Sequence, residues 1–151
     1  TVCSEKSLEF YPVEVRYKYE IQPGSPISIE SWTHDCNWIG VGGQVFNGDN
    51  PVMDIVVEIG GQLDGEDLFG LSLTGMNLEY GLGGYEIQLS DHPFDSSETI
   101  WIRLMDLEGI PLSQKIYLST YNQCSKNLIL VNFTQKETPA TVIHYFPLIF
   151  R

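Results

Sequence analysis

The sequence is short of cations, with 8 Lys and Arg against 20 Asp and Glu in 151 residues and a formal net charge of −12. A phosphate backbone or an anionic membrane surface is repelled by such a chain, so both are poor partners for it. It has no run of about 18 apolar residues, which excludes a membrane-spanning helix. Its 14 Gly and 8 Pro leave no helix-length window with an uninterrupted 3.6-residue apolar stripe, which excludes a helical fold. The three histidines, His34, His92 and His144, have no second His at i+2 or i+4, and no CxxC is present, so spacing assigns no zinc site.

Catalytic and cofactor motifs are missing as well. There is no Gly-x-Ser-x-Gly elbow, and Cys36 stands two residues from His34, too local a pair for a thiol active site. Gly40-Val41-Gly42-Gly43 and Gly81-Leu82-Gly83-Gly84 lack the helix and the Lys-Ser/Thr ending of a phosphate loop, and read as turns or bulges. The acidic stretches Asp64-Gly65-Glu66-Asp67 and Asp91-His92-Pro93-Phe94-Asp95 lack EF-hand spacing and read as solvated turns. The expectation is therefore a non-enzymatic chain with no catalytic residue, no metal and no cofactor.

What is present is alternation. With 42% hydrophobic residues the chain can bury one proper core. Val13, Val15, Tyr17 and Tyr19 share one face of a run whose other face is mostly charged, and residues 27–32 alternate again after Pro23-Gly24-Ser25-Pro26, so the two runs read as a hairpin-like pair. Seven further strands are expected at 41–46, 53–59, 68–73, 85–89, 100–107, 115–119 and 128–133, separated by turn residues that include Gly60-Gly61. Ile100, Ile102 and Leu104 should face the core. The fold class this predicts is all-β, a two-sheet antiparallel β-sandwich with an N-terminal strand pair and a protruding C-terminal strand. The expected organisation is 1–35 as an N-terminal extension, 36–135 as the sandwich, and 136–151 as a linker plus strand.

Three cysteines make an odd number. Cys36 and Cys124 each sit in a polar turn beside an expected strand and are expected to form a disulfide, which leaves Cys3 free or bonded to another subunit. The start Thr1-Val2-Cys3, without Met or an apolar leader, fits either a secreted chain after signal-peptide removal or a trimmed one. Asn132-Phe133-Thr134 is an N-glycosylation sequon, usable if Asn132 faces solvent.

Gly43-Gln44-Val45-Phe46, the turn through Asn50-Pro51-Val52, Val56-Val57-Glu58-Ile59, Gly83-Gly84-Tyr85-Glu86-Ile87 and Pro111-Leu112-Ser113 carry a resemblance. Over roughly residues 36–135 the chain resembles the carboxypeptidase-regulatory-like, or prealbumin-like, β-sandwich modules of secreted bacterial proteins. The resemblance implies a non-catalytic spacer, stalk or binding appendage outside the cell, and it transfers no catalytic residue. The Ig-like pattern is departed from, since Trp38 follows Cys36 by only two residues. The ending Tyr145-Phe146-Pro147-Leu148 is also similar to short Tyr-x-Pro-Leu endings of secreted bacterial proteins.

The segment after the polar linker is the most unusual. Val142, Ile143, Tyr145, Phe146, Leu148, Ile149 and Phe150 make both faces of a strand apolar, and Pro147 prevents a two-sided hydrogen-bond ladder at its own position. Such a strand needs an acceptor, either in cis on the chain's own edge or in trans on a neighbouring copy. The leading expectation is a secreted, extracellular or cell-surface subunit that forms a homopolymer by strand donation. The alternative is a secreted binding module with the tail in cis, taking carbohydrate or a cell surface, with Trp32, Trp38, Tyr80 and Tyr85 as candidate stacking rings.

Overall fold

The computed structural model describes residues 14–137 and 142–143. Among the described residues the strands follow one another as β1 (Glu14–Val15), β2 (Tyr19–Ile21), β3 (Ile27–Ile29), β4 (Ile39–Asn47), β5 (Asn50–Pro51), β6 (Val56–Leu63) and β7 (Glu66–Asp67), then β8 (Gly70–Leu73), β9 (Gly84–Ser90), β10 (Ser96–Met105), β11 (Ile116–Thr120), β12 (Leu128–Leu130), β13 (Phe133–Gln135) and β14 (Val142–Ile143). Two of the connections carry a single 3-10 turn, Leu78–Tyr80 and Cys124–Lys126. The all-β sandwich read from the sequence is the observed architecture.

The first sheet is antiparallel and runs β11–β10–β6, with β8 and then β7 along the free side of β6. The second sheet is mixed. Its central strand β4 pairs antiparallel with β9 and β5 on one side and parallel with β12 and β13 on the other. β12 and β13 in turn carry β3 and β2. Alternation decides which side chains meet between the sheets. Val41 and Val45 of β4, Val57 and Ile59 of β6, Ile100, Ile102 and Leu104 of β10, Leu118 of β11 and Phe133 of β13 are fully buried there. Each large apolar side chain so buried contributes roughly 1.5–3 kcal/mol before chain entropy.

The expected N-terminal hairpin does not form. β2 and β3 do not pair with each other; they lie in line along β13 and β12, separated by an excursion of residues 22–26. The Gln22 N–H donates to the Asn132 carbonyl at 2.8 Å, and the Asn132 N–H donates to Ser25 Oγ at 3.0 Å. Tyr19 is buried in the main core, so the sandwich includes residues ahead of Cys36. Residues 128–133, expected as one strand, are broken at Val131-Asn132 between β12 and β13.

Gly60-Gly61 is not a turn, and β6 runs through it. A Cβ on Gly60 would overlap the Trp101 ring, so the missing side chain lets that ring lie against the strand, with Lys115 Nζ 4.2 Å and the Arg103 guanidinium 5.3 Å from its centre. Gly61, paired with Ile100, has φ +114 and faces the Thr99 carbonyl. Gly40 and Gly42 are likewise inside β4, where a Cβ would strike the rings of Trp38 and Tyr80. The turn reading of Asp64-Gly65 holds, and the turn joins β6 and β7 as a hairpin with φ of 53° and 80° at its two positions. Replacing Gly61 by Ala should lower stability by about 2 kcal/mol or more through overpacking and a strained φ. Gly48→Ala, at φ +64 in open space, should cost about 1–2 kcal/mol. Urea midpoints of the two variants check the order.

Candidate functional site

The disulfide expected from the sequence, Cys36–Cys124, is formed, with Cα atoms 5.1 Å apart and a sequence separation of 88. It ties the loop after β3 to the turn before β12. Asn127 fastens the same loop a second time. Its Nδ2 donates to the carbonyls of Asp35 and Trp38 at 3.0 and 3.1 Å, and its Oδ1 accepts the Ser31 N–H at 2.8 Å. Asn127 is buried, and these bonds repay its desolvation.

Over this loop the outer face of the second sheet carries a small separate core of Trp38, Tyr80 and Leu128. The His34 ring stacks on Trp38 with centres 4.0 Å apart, and Trp32 leans on Tyr80 at 5.2 Å. Glu86 of β9 accepts the Tyr80 hydroxyl at 2.8 Å and His34 Nε2 at 3.1 Å. A carboxylate only accepts, so Nε2 carries a proton. Burial pushes the Tyr80 phenol far above its usual range, and the hydrogen bond to Glu86 and the charges of Glu86 and Glu79 push it further. This cluster is a donor–acceptor network in which Glu86 holds Tyr80 and His34 against the outer core.

Of the four rings proposed for sugar stacking, three are packed away. Trp38 and Tyr80 belong to the outer core, and Tyr85 lies in the main core with its hydroxyl donating to the Val131 carbonyl at 2.6 Å. Trp32 is 54% exposed. Among the described residues no group of three or more His, Cys, Asp or Glu is arranged to hold a metal ion. Asn132 sits half-buried in the β12–β13 break, and its Oδ1 accepts the Gln44 N–H at 2.8 Å. Cys3, Tyr145, Phe146, Leu148, Ile149 and Phe150 lie outside the described residues.

Val142 and Ile143 are β14, which pairs antiparallel with β1 in the register Val15↔Val142 and Glu14↔Ile143. The two form a sheet of their own and pair with no strand of the sandwich among the described residues. Direction matters here. β1 leads through Val15 toward β2, and β14 runs antiparallel to it, so Val142 rather than Ile143 is the residue opposite the β2 end of β1.

Comparisons with protein-family models, with curated proteins and with solved structures find no match to this chain.

Two outcomes follow from the site. Replacing Cys36 and Cys124 together by Ser should lower stability by about 4 to 5 kcal/mol in the chain-entropy model for a loop of this length, read from denaturant midpoints. Tyr19, Tyr80 and Tyr85 all have phenols raised above the ordinary value by burial. The folded chain thus keeps protons that the unfolded chain releases near pH 10. Their contribution to stability is full below about pH 10 and falls above it, by at most about 1.4 kcal/mol per pH unit for each such Tyr. In an alkaline titration followed by phenolate absorbance, Tyr80 and Tyr85 should ionise only together with unfolding, and Tyr19 later than an exposed Tyr.

Proposed function

We propose that this chain is a non-enzymatic extracellular structural subunit that joins copies of itself by donating its C-terminal strand. The observation that carries this reading is the placement of β14, which pairs with β1 outside both sheets of a sandwich whose core is built from other strands. The disulfide is in keeping with an oxidising compartment, and among the described residues no helix is long and apolar enough to cross a membrane. The resemblance to spacer and stalk modules points the same way.

Residues 144–151 follow with Tyr145, Phe146, Leu148, Ile149 and Phe150 among them. Burying four or five large side chains of the tail in a neighbour yields about 6–15 kcal/mol gross, comparable to the cost of associating two bodies. A contact of this kind is head-to-tail, so it does not close on itself and grows a filament. A carbohydrate-binding module is the weaker reading, because a stacking platform needs several exposed ring faces and only Trp32 of the four candidates supplies one.

Deleting residues 139–151 tests the proposal. The full chain is expected to give filaments in electron micrographs and a high, concentration-dependent mass in light scattering. The deleted chain should be a folded monomer; assembly unchanged by the deletion would overturn the proposal.

A further inference from the structure

The sandwich has two flanks, and they are built differently. On one, β8 and β9 meet at a tied corner, where the N–H groups of Gly75 and Asn77 both donate to the Gly84 carbonyl at 2.8 and 3.3 Å and Gly70 lies against Ile87. On the other, β11 of the first sheet faces the line of β2 and β3 of the second. β11 pairs only with β10, β3 only with β12 and β2 only with β13 among the described strands. The two edges are stitched at one end, where the Tyr19 N–H donates to the Leu112 carbonyl at 2.9 Å. Beyond the stitch they part around a groove of about 420 Å³ whose lining includes Ile27, Ser28, Tyr117, Ser119, Tyr121 and Ile129. A smaller space of about 170 Å³ lies further along the same flank, against Tyr19 and Ile116. Large apolar groups stand out on both of its sides, with Ile27 49%, Tyr117 51% and Tyr121 38% exposed.

We infer that this flank, between β11 and β3, is the acceptor that takes residues 144–151 of a second copy; the inference rests on the strand-donation reading. Four properties of the donor and groove agree. First, a strand laid between two sheet edges is covered on both faces, one by the core side and one by the flank residues, and the tail is apolar on both faces. Second, eight residues extended span about 26–29 Å, more than the roughly 17 Å of the five-residue β11, so the tail can run the full edge with slack for entry. Third, a strand bonded to β11 alone tolerates the missing N–H of Pro147 on its unpaired side. Fourth, residues 139–151 contain no acid and one Arg on a chain of net charge −12, so the tail is drawn to another body within a screening length of about 8 Å, while Glu98 and Lys126 of the groove offset each other. The β1–β14 pair is a sheet separate from both sheets of the sandwich, which is in keeping with a recipient in another molecule.

The test uses full-length chain with p-benzoylphenylalanine in place of Phe146. Unlabelled and heavy-nitrogen-labelled chains are unfolded, mixed, reassembled and irradiated, and the crosslinks are mapped by mass spectrometry. Mixed-label crosslinks to residues 116–121 or 27–29 are expected. In parallel, Ile27→Lys and Tyr117→Lys, at half-exposed positions and with unchanged melting temperatures, should weaken assembly at least about tenfold by placing a charge in an apolar joint. Mixed-label crosslinks elsewhere, or normal assembly of both Lys variants, would overturn the flank as acceptor while leaving strand donation standing. Single-label crosslinks alone, or assembly indifferent to loss of residues 139–151, would overturn strand donation itself.

Discussion

The nine residues of β4 are hydrogen-bonded on both sides, to β9 and β5 along one edge and to β12 and β13 along the other, and the rest of the fold is arranged around that double pairing. It fixes which face of the second sheet meets the first, since Val41 and Val45 then point into the core while Gly40 and Gly42 point out. It also sets the break at Val131-Asn132. The Val131 N–H donates to the Gly42 carbonyl at 2.9 Å, and Asn132 turns its amide oxygen onto Gln44. The excursion of residues 22–26 is seated on that break, so the outermost strands take their position from β4 at one remove.

Both outer faces of the sandwich use the same device, an aromatic ring laid over a glycine within a strand. Trp101 covers Gly60 on one sheet, and Trp38 and Tyr80 cover Gly40 and Gly42 on the other. The glycines cost strand propensity, and the rings return apolar burial outside the main core. The disulfide and Asn127 then hold the loop that brings Trp32, His34 and Trp38 into place. The result is a body braced on its faces, with open backbone along one flank.

Much of this was legible in the sequence where a signal is local. The alternation of Ile100, Ile102 and Leu104 is a property of neighbouring residues, and these side chains are buried as expected. Cys36 and Cys124 were identifiable because both stand in polar turns next to apolar runs. The errors come from residues whose local meaning is ambiguous. Gly60-Gly61 and Gly40 to Gly43 look like turns because Gly breaks strands, and only the distant Trp101, Trp38 and Tyr80 explain them as strand interior. The run Leu128 to Phe133 is continuous in hydropathy, so nothing nearby marks its break. Parallel pairing of β4 with β12 has no local signature at all. Asn127 carried one faint clue, a lone amide at the entrance to an apolar strand.

The same topology imposes an order in time. Among the described residues β4 gains its second neighbour only from β12 and β13, and β2 and β3 gain their only strand partners there too. A growing chain therefore cannot close its second sheet until residue 135 is available, and topologies of such high contact order fold slowly. The flank between β11 and β3 has no existence before that closure. An incomplete chain thus lacks the edge proposed as acceptor, so on the strand-donation reading completion of the fold precedes any joining of one body to the next.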